Sequence, residues 1–204
     1  MKKLIQLIAC FFLLIPAASV FIRDPSFSSS SEEGYGRGKH HHGGHHSPTP
    51  NPCEVGWYAF HRPQGVWCVK VVASKLTYLA AQTACINLGG ALSGLQNDKE
   101  RVWIGNKGME IMLANGGTDS GTWLGAKCSS SGCTWTDGNT VGTQGMMFAP
   151  GEPNQLSYPP CLYIWAKIGD TLKRYPYGNG YIDDTRLTTA MMSYACGKPG
   201  LRNN

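Results

Sequence analysis

The chain has 204 residues, of which 15% are charged, and its formal net charge at pH 7 is +5. The lysines and arginines are spread along the chain rather than clustered, which argues against a nucleic-acid partner. The spacings of its eight cysteines differ from those of the paired CxxC ligands in structural zinc sites, so we interpret the cysteines as disulfide-forming.

The first 19 residues have the pattern of a secretory signal peptide. Lys2 and Lys3 precede an apolar run over residues 4–15, and small residues follow as far as Ser19. The apolar run is shorter than the roughly 20 residues that cross a bilayer, which favours a signal peptide over a membrane anchor. We therefore expect a secreted, extracellular protein with no membrane partner, whose cysteines are oxidised.

Residues 20–52 form a low-complexity linker rich in Ser, Gly, His and Pro. Too few apolar side chains are present to offset the entropy of ordering this segment, so we expect it to be disordered. Neutral imidazoles bind transition metals, but a disordered segment pre-organises no coordination geometry, and we favour a solvated spacer. The histidines of the linker are His40, His41, His42, His45 and His46.

The remaining residues, 53–200, have the length of one domain, and its first predicted helix follows Ser74 or Thr77. Either residue is a suitable N-cap, the helix runs to Leu88, and Gly89 with Gly90 ends it. We expect its apolar face to comprise Leu79, Ala80, Ala84 and Leu88.

A second helix is predicted from Asn97 toward Ala114. Asn97 and Glu100 resemble a capping box, whereas Gly105 and Gly108 weaken the helical pattern. Beyond Gly121 the chain consists of short apolar runs between Gly, Pro and Asn, which indicates strands in a loop-rich α+β domain. The strand-like runs are residues 123–125, 133–135, 162–165 and 193–196.

Taken in order, these segments resemble the C-type lectin-like domain over nearly all of residues 53–200. The resemblance implies an α+β fold with two helices, short antiparallel sheets and long loops held by disulfides. Residues 62–68 and the Cys128/Cys133 pair are similar to the long-form, secreted invertebrate branch of the family. The matching segments are residues 53–60, Cys68, residues 80–85, 89–92, 123–125, 135–138 and 151–154, Cys161, residues 183–184 and 196–198.

Cys10 lies in the predicted signal peptide, which leaves seven cysteines. For these, the resemblance implies three disulfides and one cysteine without an intramolecular partner. The family position that would pair with Cys161 falls near Leu187, which leaves Cys161 unpaired. Two interpretations stay open: Cys161 is a buried thiol, or it forms an intermolecular disulfide in a homodimer. The implied pairs are Cys53–Cys68, Cys85–Cys196 and Cys128–Cys133.

The segment Glu152-Pro153-Asn154 matches the calcium-dependent sugar site of the family. Calcium prefers carboxylate and amide oxygens, and this triplet implies a preference for mannose-type glycans. In this chain Asp183 stands where the family has Asn, and Pro160 precedes Cys161 where the family has an acidic ligand. The calcium ligands that the resemblance implies are Glu152, Asn154, Asp183 and Asp184.

No catalytic motif is recognisable, and His61 is the only histidine after the linker, so we predict a binding protein rather than an enzyme. The first hypothesis is a secreted, calcium-dependent lectin for mannose-type glycans. The alternative is a lectin-like domain without sugar binding that recognises an extracellular protein or matrix partner.

Overall fold

The computed structural model describes residues 51–155, 160–167 and 180–201. Every described residue belongs to one compact unit, His46–Asn204. The predicted signal peptide and the linker histidines lie outside the described residues. Over the described ranges, no helix combines the length and apolar character needed to cross a membrane.

The described residues form two helices and eight strands, and all eight strands belong to one sheet. The strand order is β1-β2-β8-β4-β6-β7, with β3 paired to β8 and β5 paired to β4. Strands β4 and β8 run parallel and the other strand pairs are antiparallel, so the sheet is mixed. The predicted α+β fold with two helices and disulfides is confirmed. The helices are α1 (Tyr78–Asn87) and α2 (Asp98–Ala114), and the strands are β1 (Tyr58–Arg62), β2 (Gly65–Thr77), β3 (Ala91–Leu92), β4 (Asp119–Ser129), β5 (Gly132–Trp135), β6 (Cys161–Lys167), β7 (Ile182–Thr185) and β8 (Ala190–Pro199).

Helix α1 occupies the predicted segment but turns a different face to the core. It begins after Thr77, and Gly89 follows its end with a φ of +77°, a conformation that favours glycine. Tyr78, Ala81 and Cys85 are the buried residues, whereas Leu79 is 57% exposed. The predicted apolar face was therefore wrong, because a disulfide at Cys85 and the packing of Tyr78 set the rotation of the helix.

Helix α2 begins at the predicted cap. The side chain of Asn97 accepts a hydrogen bond of 3.2 Å from the backbone N–H of Glu100. Glu100 does not complete a capping box, because its fully buried carboxylate accepts two hydrogen bonds from Arg62, at 2.8 and 2.6 Å. Gly108 lies so close to Thr122 that a Cβ would not fit, which explains a glycine inside this helix.

Three disulfides join the elements: Cys53–Cys68, Cys85–Cys196 and Cys128–Cys133. The bridge from α1 to β8 spans 111 residues of sequence, and by chain entropy it contributes about 4–5 kcal/mol.

Cys161 forms no disulfide and is fully buried, in accordance with the buried-thiol interpretation. Burial raises the pKa of its thiol to about 12. An intermolecular disulfide would require Cys161 to leave the core, since no part of the side chain reaches the surface.

Candidate functional site

Three carboxylates converge beside strand β7. Glu152 lies in the loop that precedes β6, and Asp183 and Asp184 lie on β7 itself. One carboxylate oxygen from each residue lies within 4.8 Å of the other two. The fold thus brings together residues that are about 30 positions apart in the sequence.

Asp184 fixes the loop against the strand. Its Oδ1 accepts a hydrogen bond of 2.8 Å from the backbone N–H of Asn154, and its Oδ2 accepts one of 3.0 Å from the backbone N–H of Gln155. The Gln155 side chain donates to the Asp184 carbonyl oxygen at 3.2 Å. Asp184 is 1% exposed, so this carboxylate is both a candidate ligand and the residue that positions the loop.

Asp183 is held by the neighbouring strand. The β6–β7 register places Tyr163 opposite Asp183, and the tyrosine hydroxyl donates to Oδ2 at 2.8 Å. Burial raises the pKa of Asp183, while the hydrogen bond from Tyr163 opposes that increase. The pKa of Tyr163 is also raised, first by burial and then by the charge of Asp183, so Tyr163 remains a donor.

Glu152 is the least satisfied of the three carboxylates. Its Oε1 accepts a hydrogen bond of 2.8 Å from Nδ2 of Asn154, but its buried Oε2 has no hydrogen-bond partner among the described residues. Burial raises the pKa of Glu152 to about 7, and the charges of Asp183 and Asp184 add to the effect. The Glu152–Pro153 peptide bond is cis.

The donor set fits a hard cation. A buried carboxylate oxygen without a donor, next to two further carboxylates, is an arrangement that a divalent cation would relieve. The amide oxygen of Asn154 is a fourth candidate ligand, and all four groups are oxygen donors of the kind that calcium prefers. The position of the family's remaining acidic ligand is occupied by Pro160, which is buried and offers no side-chain oxygen.

Solved structures with the same topology place this arrangement in a known fold. The crystal structure of CEL-IV matches with a TM-score of 0.57 and 21% sequence identity, over 74% of this chain and 97% of that chain. The cow C-type carbohydrate-recognition domain of CD23, solved in the presence of a GlcNAc2Man3 oligosaccharide, matches with a TM-score of 0.52 and 18% identity, over 74% and 98% of the two chains. The domain has the C-type lectin-like fold.

The C-type lectin-like domain is also similar to ice-binding proteins. A calcium-independent type II antifreeze protein matches with a TM-score of 0.51 and 22% identity, over 73% of this chain and 95% of that chain. The type-2 ice-structuring protein of Hemitripterus americanus is 30% identical over 95 residues, which is 46% of this chain. The chain spans about half the length of this curated relative. No family model matches the chain.

The sequence prediction named the acidic residues of the C-type lectin-like domain but missed those that support them. Tyr163 was predicted only as part of the strand-like run 162–165, yet its hydroxyl donates to Asp183. Gln155 was not considered, yet its backbone and side chain both bond to Asp184. The contact between Tyr163 and Asp183 follows from the register of β6 against β7. That register cannot be predicted from the sequence.

Proposed function

We propose that the protein is a secreted lectin that binds carbohydrate through calcium at its acidic site. The observation that carries this proposal is the buried Oε2 of Glu152. It has no hydrogen-bond donor among the residues that the structure describes, and it lies beside two other carboxylates. A cation would neutralise the repulsion between the three carboxylates. It would also occupy the position beside Oε2 that no described donor fills. The proposed ligands are Glu152, Asn154, Asp183 and Asp184.

When bound, calcium supplies coordination positions for two neighbouring sugar hydroxyls. The chain's own residues then orient the sugar: Glu152 accepts hydrogen bonds from hydroxyls, and Asn154 both donates and accepts. Asp183 accepts only, because an ionised carboxylate has no proton to donate. Glu152-Pro153-Asn154 is the family's mannose-type triplet, so we propose mannose-type glycans as the partner.

The similarity to a C-type carbohydrate-recognition domain solved in the presence of an oligosaccharide supports a glycan partner in general. Secretion is supported by the three disulfides, which persist in oxidising compartments. Sequencing the N-terminus of the mature protein from culture medium tests secretion. A mature chain that still begins at Met1 would contradict the predicted cleavage.

The lectin proposal is tested on a glycan array, in calcium and in EGTA. We expect mannose-terminated glycans to be retained in calcium, galactose-terminated glycans to be retained less, and both to be lost in EGTA. Asp184→Asn should abolish retention, because the amide cannot accept both backbone N–H groups that the carboxylate holds. Asp98→Asn, at an exposed carboxylate of α2, is the matched control. Glycan binding unchanged by EGTA would refute calcium dependence.

Ice binding is the second candidate, and the identity to the Hemitripterus americanus ice-structuring protein favours it. Thermal hysteresis of the purified protein at millimolar concentration, measured in EGTA, decides between the two. Hysteresis comparable to that of an antifreeze protein, without glycan binding, would replace the lectin proposal. The comparisons lend no support to the alternative of a protein or matrix partner.

A further inference from the structure

An aromatic cluster lies on strand β1 and helix α2, apart from the acidic site. The rings of Tyr58 and Trp103 stack with their centroids 4.7 Å apart and an interplanar angle of 29°. Phe60 meets the Trp103 ring edge-on at 5.5 Å. Tyr58 is 49% exposed, so one ring of the stack faces solvent. Strands β1 and β7 are at opposite ends of the strand order, which separates this cluster from Glu152, Asp183 and Asp184.

Three shallow recesses surround this cluster, and Trp103 lines all of them. The first, of about 290 Å³, also contains Tyr58 and Lys70. The second, of about 330 Å³, contains Tyr58, Phe60 and Lys99. The third, of about 430 Å³, continues along α2 and again contains Lys99. Each recess therefore combines an aromatic wall with a lysine.

The charges of this face leave a positive excess. Each of its carboxylates forms an ion pair: Asp98 with Arg101, Glu100 with Arg62 and Glu110 with Lys107. Lys70 and Lys99 form no ion pair with any residue that the structure describes. The recesses are thus lined by two ammonium groups without a described carboxylate partner. His61 is exposed beside the second recess.

We propose that this surface is a second, calcium-independent binding site for an acidic polysaccharide, meaning a chain of sugar rings that carry sulfate or carboxylate groups. The apolar faces of sugar rings pack on exposed aromatic rings, and the anionic groups pair with Lys70 and Lys99. Several small recesses in series fit successive rings of a linear chain better than they fit one flat protein surface. This site is separate from the proposed calcium site, so either proposal can fail without the other.

The binding test uses dextran sulfate, hyaluronate and uncharged dextran of similar length as probes, all in EGTA. We expect both anionic chains to bind, dextran not to bind, and affinity to fall as sodium chloride rises from about 50 to 150 mM. Dextran binding as tightly as dextran sulfate would refute the role of charge. Poly-glutamate binding as tightly as both anionic polysaccharides would indicate an acidic protein partner and overturn the proposal.

Variants locate the site on the molecule. The double change Lys70→Gln/Lys99→Gln should weaken dextran sulfate binding about 4- to 25-fold, from two- to fivefold per lysine, and Tyr58→Ala should weaken it about tenfold. The matched control is Lys75→Gln/Lys127→Gln, which removes two exposed lysines outside the recesses. An equal loss in this control would refute the site, and so would full binding by the Tyr58→Ala variant. Asp184→Asn should leave this binding unchanged.

Discussion

Glu152→Gln should stabilise the metal-free protein at pH 8. The pKa of Glu152 is raised from 4.5 to about 7. Above pH 7, ionising this carboxyl group therefore costs more free energy in the folded protein than in the unfolded chain. The raised pKa lowers the free energy of unfolding at this pH by at most about 3 kcal/mol. Because water reaches this loop, we expect about 1–2 kcal/mol to remain, or about 2–8 °C in melting temperature for a domain of this size.

The pH dependence follows from the same pKa, and its sign is opposite to that of a salt-bridged acid. A raised folded-state pKa means that the folded protein binds this proton more tightly than the unfolded chain does. Its contribution to stability is therefore present below pH 4.5 and is lost as the pH rises through about 7. At pH 5 the amide replaces a protonated acid of nearly the same shape, so Glu152→Gln should then have little effect.

Calcium narrows this difference in stability at pH 8. A site with a dissociation constant of about 1 mM gains about 1.4 kcal/mol in 10 mM calcium, which is about 3–6 °C in melting temperature. The wild-type protein should show this gain, and Glu152→Gln should lose most of it. One variant is thus more stable than wild type without the metal and no longer responds to it.

The assay is thermal unfolding followed by circular dichroism, at pH 5 and pH 8, with EGTA or 10 mM calcium. Glu110→Gln, on the solvent side of α2, is the control for a carboxylate that lies outside the site. Destabilisation of the metal-free Glu152→Gln variant at pH 8 would refute the repulsion between the three carboxylates. An undiminished calcium response in that variant would show that Glu152 is not a ligand.

Three further outcomes are expected. Glu100→Gln should cost about 3 kcal/mol in urea unfolding, because it removes the closer of the two carboxylates that pair with the buried guanidinium of Arg62; Asp137, at 3.8 Å, remains. Glu110→Gln, at an exposed pair, should cost under about 0.5 kcal/mol. Equal costs would contradict the importance of burial. Asp183→Asn should strengthen mannose binding in calcium severalfold, because the amide can donate a hydrogen bond to a sugar hydroxyl. Weaker binding in isothermal titration would argue against a sugar contact at residue 183. Gly125→Ala should destabilise the fold by about 3 kcal/mol or more, because its Cβ would overlap the carbonyl oxygen of Leu92; an unchanged melting temperature would be inconsistent with this close packing.

Local chemistry predicted the helices well at their ends and poorly along their sides. Asn97 caps α2 and glycine follows α1, because capping and positive φ depend on a few adjacent residues. The buried face of α1 was not predictable in the same way. Its rotation follows from the Cys85–Cys196 bridge and from the edge-on packing of Tyr78 against Trp123, which are contacts between distant segments.

The predicted strand segments all lie in strands, but their arrangement required the structure. Short apolar runs identify β4, β5, β6 and β8 without indicating which strands pair or in which direction. The parallel contact of β4 with β8 and the burial of Arg62 against Glu100 both depend on that arrangement. A buried ion pair is also hard to infer from sequence, because charged residues are ordinarily exposed.

Asp184 and Glu152 differ in what they indicate about calcium. Asp184 holds the backbone of the loop at Asn154 and Gln155 through hydrogen bonds that need no metal, so the loop keeps its shape whether or not calcium binds. A remnant site that had lost calcium would therefore retain the same loop and the same Asp184. Glu152 Oε2 is different, because the described part of the chain offers it no donor and two negative neighbours raise the cost of ionising it. Only a bound cation or a proton relieves that cost, so the stability of Glu152 variants with and without calcium distinguishes a working metal site from an inherited loop.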